Sequence, residues 1–365
     1  MNHLLQDKYC PSNLDALDHA PDVTHFLKAL AKQELPHLII EGPRGAGKGL
    51  RALLFIQEKF GPFSIKNIAL DIPGMEKDIN IMVSPYHYQI NPSTHSFYDR
   101  MLIKTFTSEV LKYKILTGVK YRILVIEDAD LLTQEAQESL RRTMELYITT
   151  CRFIFLVNND GKLIDPLYSR CVKVRLPAPS NDDMLKILTG ITEKEGVGIP
   201  PEIISNIVLH SKRNISKGIS YLEQYLLRNS HKEVNPFNPF NPFNREDYDV
   251  AWEISLKIIM TIIEGVDIKT TFDKIRELIY ELITYGVDAK TIIGNLLELA
   301  LERISKKNTS HIYSLCKFAC ERDATVRISS KPIYHLESFC IHLFDIVKNI
   351  MEDNKKTRKK SKLKL

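Results

Sequence analysis

Eight consecutive residues, GPRGAGKG, have the types and spacing of a loop that holds phosphate groups. In such a loop the glycines let successive backbone N–H groups point at phosphate oxygens, and a lysine adds a point charge. The loop residues are Gly42, Pro43, Arg44, Gly45, Ala46, Gly47, Lys48 and Gly49. Gly49 stands where Ser or Thr usually helps to hold magnesium. The loop therefore favours nucleotide binding over nucleotide hydrolysis, with an ordinary glycine-rich turn as the alternative.

A group of acidic residues is the second candidate for chemistry. Residues 123–126 are an uninterrupted apolar run, which predicts a central parallel strand, and Glu127, Asp128 and Asp130 follow it. Open α/β sheets bind ligands at the carboxyl ends of their strands. Beside a phosphate loop, Glu127 and Asp128 would order magnesium and polarise an attacking water molecule. They could also lie in the first turn of a helix, opposite its dipole, and both roles can coexist.

Alternating strands and helices would position these two groups. An apolar run at 37–40 predicts a strand before the loop, and Leu50 and Leu54 recur at helical spacing after it. Further strands are predicted within 68–90 and at 151–157. This alternation predicts an α/β fold built around the phosphate loop.

A predicted helix over 98–113 carries two basic residues on one face. Arg100 and Lys104 are spaced i, i+4, so their side chains are neighbours on the helix surface. The pattern predicts an exposed basic face, which is the first candidate for contact with a nucleic-acid backbone. A solvated helix face without a ligand is the simpler alternative.

The remainder of the chain divides by composition. Ser180 begins a small helical domain, with Asp183 placed to complete the helix cap. The prolines of NPFNPFNPFN exclude a strand centre or a helix interior, so this segment indicates a linker. Beyond it, five segments with 3.6-residue apolar spacing predict a helical bundle that serves assembly. The predicted domains are a nucleotide-binding α/β domain at 1–179, a small helical domain at 180–233, the linker at 234–245, an all-helical domain at 246–352 and a basic tail at 353–365.

The composition, 44% hydrophobic and 26% charged over 365 residues, is ordinary for globular domains. No apolar run approaches the roughly 20 residues that span a bilayer, and the N-terminus lacks a signal-peptide core, so we expect an intracellular protein with no membrane partner. Six scattered cysteines fit reduced thiols. Seven basic residues follow Asn354, so the net charge of +5 becomes 5 − 7 = −2 without them. This solvated, disordered tail could be a nuclear import signal, a sequence-independent nucleic-acid contact or a solubility tail.

Seven motifs give the chain a resemblance to a known family: DKYCP, PHLIIEGPRGAGKG, YHYQINPS, AQESLRRTMELY with the acidic residues before it, CRFIFLVNN, DPLYSRCVKVRLPAPS and KPIYHLESF. Over nearly its whole length the sequence resembles the AAA+ clamp-loader small subunits of replication factor C, and within them the subunit-three type of animals. The resemblance implies a RecA-like P-loop domain, a helical lid and an all-helical C-terminal collar through which five different subunits form a spiral. It also implies a nuclear function in replication and repair, in which ATP is used to open the sliding clamp (PCNA) and close it around primer-template DNA.

The resemblance also assigns roles to single residues. Arg170, in the SRC motif, would be an arginine finger that reaches the γ-phosphate bound by the neighbouring subunit. Asn158 would sense the γ-phosphate in this chain's own site. Active members have Asp at the position of Glu127 and Glu at the position of Asp128, so the order of the two acids is reversed in this chain. Each carboxylate would therefore be displaced by about one methylene, on a site where about 1 Å matters.

Three further departures bear on hydrolysis. Ser216 falls where the lid normally contributes an arginine to the phosphates, and Cys10 falls where the N-terminal box normally has an arginine. Together with Gly49, they imply a site that binds ATP or ADP with little hydrolysis, as expected for the subunit-three type. Two alternatives remain open. One is a competent ATPase in which Glu127 holds magnesium and Asp128 orients water, and the other is an adaptor that uses its NPF triplets.

Overall fold

The computed structural model describes residues 4–70, 79–92, 99–112, 120–229, 249–265, 268–304, 309–326, 329 and 331–362. The chain divides into two compact units, Met1–Leu227 and Arg228–Leu365. The predicted NPF linker lies outside the described residues. Across the ranges just given, no helix combines the length and the hydrophobicity needed to cross a membrane.

A seven-stranded sheet forms the centre of the first unit. Its strands are β1 His37–Glu41, β2 Lys66–Leu70, β3 Ile79–Val83, β4 His87–Ile90, β5 Arg122–Ile126, β6 Cys151–Val157 and β7 Cys171–Arg175. They are hydrogen-bonded in the order β2-β3-β4-β5-β6-β1-β7. The strands from β4 to β7 in this order pair in parallel, whereas β3 pairs antiparallel with both β2 and β4. The loop-bearing strand β1 therefore lies inside the parallel part of the sheet.

Helices accompany the sheet because a parallel strand pair requires a crossover connection, which is usually helical. Those of the first unit are α1 Leu5–Lys8, α2 Pro21–Ala31, α3 Lys48–Phe60, α4 Asp99–Lys112, α5 Gln134–Leu146, α6 Asp165–Tyr168, α7 Asn181–Glu195, α8 Pro201–Ser211 and α9 Ile215–Asn229, the last of which ends just beyond the unit boundary. The predicted α/β fold class, with a P-loop domain of the AAA+ type followed by helical segments, is confirmed.

The central strands consist mainly of apolar residues, which pack beneath the helices on both faces of the sheet. Leu124 and Ile126 of β5 belong to a buried cluster that also contains Leu140 of α5. Ile123, on the opposite face of the same strand, packs in a second cluster with Phe55 of α3. Alternate residues of a strand point to opposite faces, so an uninterrupted apolar run indicates a strand that is buried on both sides. The prediction of a central strand at 123–126 is confirmed.

Helix caps fix the segment that follows the sheet. The backbone N of Asp183 donates to Ser180 Oγ, and the backbone N of Ser180 donates to Asp183 Oδ2, each at 3.0 Å. This is the cap that the sequence predicts at the start of α7. Asn214 has a similar role before α9, where its Oδ1 accepts a hydrogen bond from the first turn at 2.9 Å. Ile215 N donates to Gly45 O at 3.0 Å, so the start of α9 is bonded directly to the phosphate loop.

The second unit is helical throughout its described part, as predicted. Its helices are α10 Val250–Glu264, α11 Ile268–Thr284, α12 Ala289–Arg303, α13 Thr309–Val326 and α14 Ile333–Lys362. Their shared core includes Ile258, Ile279 and Phe339, all fully buried. The interpretation of the basic tail as a disordered segment is corrected in one respect, since α14 continues to Lys362. No Gly or Pro interrupts residues 333–362, and lysine is a good helix former.

Candidate nucleotide-binding site

A cavity of about 890 Å³ lies in the first unit, beside the phosphate loop. The loop residues Arg44 to Gly49 line it, together with Glu127 and Asp128, which follow β5, and Asn158, which follows β6. These strands end at the same edge of the parallel sheet, where open α/β sheets bind ligands. The structure therefore brings together the loop, the acids and the proposed sensor, which the sequence places far apart.

The loop has the backbone shape that a phosphate cradle needs. Gly45 and Gly47 have φ of 79° and 82°, in the left-handed region where a glycine is strongly preferred. Gly47 is the N-cap of α3, so the first N–H groups of that helix face the cavity end of the loop. A helix N-terminus with such a loop favours phosphate binding. Gly42 precedes the turn, and a Cβ there would approach Leu176 O to 2.4 Å.

Lys48 connects the loop to the sensor position. Its Nζ donates to the carbonyl oxygens of Gly42 and Pro43 at 2.7 and 3.0 Å, and to Asn158 Oδ1 at 2.9 Å. Burial lowers the pKa of Lys48, and the nearby Asp128 and Asp130 partly offset this effect. The ammonium group is thus held where it can reach phosphate oxygens bound in the loop.

Asp128 is held by its neighbours in an uncommon conformation. Its φ is 44°, which costs energy for a residue with a Cβ, and Asn158 Nδ2 donates to its Oδ1 at 2.7 Å. Asn158 is itself positioned by Asp130, whose Oδ1 accepts a bond from the Asn158 backbone N at 3.1 Å. Arg44 Nη2 lies 3.8 Å from Asp128 Oδ2. The carboxylate in the expected water-orienting position is therefore engaged by an amide and faces a guanidinium.

Glu127 makes contacts that the sequence did not reveal. Gln89 Nε2 donates to its Oε1, and Asn91 Nδ2 donates to its Oε2 at 3.3 Å and lies 3.4 Å from Asp128 Oδ2. Burial raises the pKa of the Glu127 carboxyl, and the bond from Gln89 opposes that rise. Gln89 and Asn91 come from the end of β4, within the motif YHYQINPS. Polar residues at the end of a predicted strand were the available signal for them.

The residues present do not fit a magnesium ion. Gly49 offers no hydroxyl, and a Cβ at this position would lie 4.0 Å from Glu127 Oε1. Both oxygens of Glu127 and Oδ1 of Asp128 already accept hydrogen bonds from side-chain amides. No group of three or more His, Cys, Asp or Glu side chains within the described ranges is arranged to hold a metal ion. The carboxylates are thus committed to protein donors, unlike the oxygen ligands that magnesium prefers.

The two positions where the resemblance implies an arginine border the same cavity. Ser216, at the start of α9, and Cys10 both line it. Ser216 Oγ accepts a weak bond from Gln6 Nε2 at 3.5 Å. Neither residue carries a positive charge, so neither can take over the contact that an arginine makes with phosphates.

A buried arginine also borders the cavity. Arg51 of α3 is 1% exposed, donates from Nη1 to Thr24 Oγ1 at 2.8 Å and from Nη2 to His19 O. His19 Nε2 lies 3.1 Å from Pro177 O, between β7 and α7. Burial lowers the pKa of Arg51 to about 10. These contacts tie the N-terminal segment to α3, and no sequence pattern indicates them.

Arg170 does not line this cavity. It lies between α6 and β7, where its Nη1 donates to Pro166 O at 2.7 Å and its Nη2 to Glu145 Oε1 at 2.8 Å. Glu145 also pairs with Arg141, one helical turn earlier in α5, at 3.3 Å. With its side chain 39% exposed, Arg170 is available at the surface of the unit.

Arg100 and Lys104 lie on α4, and both are exposed as predicted. Arg100 Nη1 pairs with Glu135 Oε2 of α5 at 2.7 Å, an ion pair that is exposed on both sides. The basic face is therefore partly neutralised within the chain. Neither residue lines the nucleotide cavity.

The strand order, the loop at the N-terminus of α3 and the acids at the strand ends define a P-loop domain of the AAA+ type. Residues 19–180 match the family described as "DNA polymerase III, delta subunit", and residues 252–351 match "Replication factor C subunit 3, C-terminal domain". Replication factor C subunit 3 of Bos taurus is 30% identical over 356 residues, which cover 95% of this chain and 97% of that protein. Replication factor C subunit 5 of Saccharomyces cerevisiae is 29% identical, with 91% and 96% covered. The chain therefore belongs to the replication factor C family.

Among solved structures, the Holliday junction branch migration motor RuvB of Thermotoga maritima matches with a TM-score of 0.48 and 16% sequence identity. The matched region covers 79% of this chain and 88% of the RuvB chain. This likeness is too distant to carry an argument. The family and the fold predicted from the motifs are confirmed by the relatives and by the sheet.

Proposed function

We propose that this chain is a small subunit of a heteropentameric ATP-dependent clamp loader that opens a sliding clamp (PCNA) and loads it onto primer-template DNA. Membership of the replication factor C family supports the clamp-loading function, and the phosphate loop beside a cavity supports the use of ATP or ADP. The helical second unit would be the collar that joins the other replication factor C subunits. The nucleus is the compartment in which this function is carried out in eukaryotes.

The cavity would bind nucleotide and hydrolyse it slowly. Its loop end offers backbone N–H groups and Lys48 to phosphates, while Leu17, Ile187 and Ile219 line it with apolar surface suited to a planar base. The observation that carries the proposal is the state of Asp128. Its carboxylate accepts a hydrogen bond from Asn158 Nδ2 at 2.7 Å, so it is poorly placed to orient water.

Arg170 would act on the site of the neighbouring subunit. Its position outside the cavity of its own chain and its exposure are what a residue acting in trans requires. The bonds to Pro166 O and Glu145 orient the guanidinium before a neighbour is present. A cation placed on the transferred phosphoryl group can be worth orders of magnitude in rate.

Contact with DNA would be made to backbone phosphates and would be independent of sequence. Arg100 and Lys104 are the proposed contributors from α4. Arg100 would exchange its exposed ion pair with Glu135 for a phosphate, at little cost because such pairs contribute about 0–1 kcal/mol. The loss of either side chain should weaken binding of all sequences alike and reduce its salt dependence.

The test is the steady-state ATP turnover of the reconstituted complex that carries Lys48→Ala or Arg170→Ala in this subunit. We expect Arg170→Ala to reduce turnover more strongly, because it disables a neighbouring site that hydrolyses ATP. Arg175→Ala is the matched control, since Arg175 is also an exposed arginine paired to a carboxylate, at 3.2 Å from Glu41. If Lys48→Ala removes as much turnover as Arg170→Ala, the subunit hydrolyses ATP in its own site.

That second outcome corresponds to an alternative function, a hydrolysis-competent subunit. One observation favours it: Lys48, Asn158 and Asp128 form a continuous chain of hydrogen bonds at the phosphate end of the cavity. A hydrolysing site would also need these three groups in contact, so their proximity does not separate the two functions. The ATP turnover of the Lys48→Ala and Arg170→Ala complexes separates them.

A further inference from the structure

We propose that Arg44 supplies the positive charge that balances the terminal phosphates of a bound nucleotide, so that nucleotide binding by this chain requires no divalent cation. The proposal rests on the nucleotide-binding part of the proposed function. The residues at the phosphate end of the cavity do not fit magnesium, and the phosphate-loop pattern leaves the residue type at position 44 unspecified.

The phosphate end of the cavity carries charged groups of both signs. Three carboxylates, those of Glu127, Asp128 and Asp130, lie there and face two cations, Lys48 and Arg44. A nucleotide diphosphate or triphosphate adds further negative charge to this end. Negative groups brought together in a partly buried site repel each other strongly unless cations compensate them. Binding therefore needs a cation besides Lys48.

The usual sources of that cation are lost at defined positions. Gly49 and the hydrogen-bonded carboxylates do not form a magnesium site. Ser216 and Cys10 stand at the two places where the family pattern has an arginine, and both border the cavity without bringing charge. Arg44 is the loop residue that restores a positive charge at the same end.

The geometry of Arg44 suits this role. It lies in the phosphate loop itself, it lines the cavity and its side chain is 64% exposed. Its contact with Asp128, 3.8 Å between Nη2 and Oδ2, is longer than a hydrogen bond and is screened by solvent. The guanidinium can therefore leave Asp128 for a phosphate at small cost. Its planar fork suits two phosphate oxygens at once, which a lysine ammonium does not.

The test is calorimetric titration of the full-length protein with ADP and with ATP, in magnesium and in excess EDTA. We expect the dissociation constant of the wild type to change less than about threefold on removal of magnesium. Arg44→Ala should weaken binding in EDTA by about tenfold or more, and Arg44→Lys should retain part of the affinity. Arg175→Ala is the control for loss of an exposed, ion-paired arginine, and it should bind as the wild type does.

A reciprocal variant converts the site instead of disabling it. Gly49→Thr combined with Glu127→Asp restores the hydroxyl and the shorter carboxylate. A Cβ at position 49 approaches Leu156 Cδ1 and Glu127 Oε1 only to 3.9 and 4.0 Å, so the added side chain has room. We expect this variant to bind nucleotide more tightly in magnesium than in EDTA.

Two results would overturn the proposal, and they separate it from the proposed function. If the wild type binds nucleotide in magnesium but its affinity falls by about tenfold or more in EDTA, the role of Arg44 is refuted while the nucleotide site stands. The role of Arg44 is also refuted if Arg44→Ala and the wild type bind nucleotide with equal affinity in EDTA. If the wild type binds nucleotide in neither condition, the nucleotide-binding part of the proposed function itself fails.

Discussion

The two glycines of the phosphate loop with left-handed backbones offer a matched test of how the loop is held. Gly45 has φ of 79°, and a Cβ added there would lie 2.0 Å from Asn214 Oδ1 and 2.1 Å from Asn214 Cγ. Gly47 has φ of 82°, but its Cβ would meet no heavy atom of the described residues within 4 Å. The substitutions Gly45→Ala and Gly47→Ala therefore share the backbone strain and differ only in the collision.

The magnitudes follow from these contacts. A left-handed backbone costs a residue with a Cβ roughly 1–2 kcal/mol, so Gly47→Ala should lower the free energy of unfolding by about that amount. At Gly45 the new Cβ must also displace Asn214, whose Oδ1 accepts the capping bond from Lys217 N at 2.9 Å. Loss of such a cap costs about 1 kcal/mol. We expect Gly45→Ala to destabilise the protein by about 2–3 kcal/mol in all.

Urea unfolding of the full-length chain, followed by circular dichroism, measures the difference. The Asn214→Ala background supplies the coupling test: with that side chain removed, Gly45→Ala should cost no more than Gly47→Ala. If the two alanine variants differ by less than about 0.5 kcal/mol in the wild-type background, the loop is not packed on Asn214 as described, and the reasoning fails.

Two further predictions concern stability. Burial lowers the pKa of His87 to about 4, below that of an unfolded histidine, so His87 takes up a proton on unfolding at low pH. The stability that neutral His87 contributes is complete above about pH 6.5 and falls by up to about 3 kcal/mol as the pH drops towards 4. His87→Phe should therefore flatten the pH profile of urea unfolding over that window, and an unchanged slope would contradict this prediction. Ser180→Ala removes the capping box of α7 and should lower the free energy of unfolding by about 1 kcal/mol, while Ser180→Thr should cost less; equal effects of the two would show that the hydroxyl does not cap the helix.

The elements that carry the site could be predicted because their signals are local. The run before Gly42, the glycine-rich loop and the helical spacing after Lys48 define β1, the loop and α3 from one short stretch of sequence. The placement of Glu127 and Asp128 beside the loop also followed, because open α/β sheets bind ligands at the carboxyl ends of their strands. No tertiary information was needed for either inference.

The partners within the site could not be predicted, because they depend on which side chains the packing brings together. Nothing in the sequence pairs Arg44 with Asp128, or directs Gln89 towards Glu127. The buried environment of Arg51 was also hidden, since an arginine in an amphipathic helix usually points to solvent. In each case a long-range contact decides the role of a residue whose type alone favours an exposed position.

The exposed basic face of α4 could be predicted from the sequence, but its ion-pair partner could not. Spacing placed Arg100 and Lys104 together, and both are exposed. The ion pair between Arg100 and Glu135 joins α4 to α5 across a sequence separation of 35 residues, which periodicity within one helix cannot reveal.

The most direct test of the central claim is the number of ATP molecules hydrolysed in the first turnover of the reconstituted complex, measured by rapid quench in the presence of clamp and primer-template DNA. We predict that Lys48→Ala leaves this burst amplitude unchanged, whereas Arg170→Ala lowers it by one ATP per complex. A loss of one ATP with Lys48→Ala and none with Arg170→Ala would contradict the account, because the catalytic site would then be the cavity of this chain and not that of its neighbour.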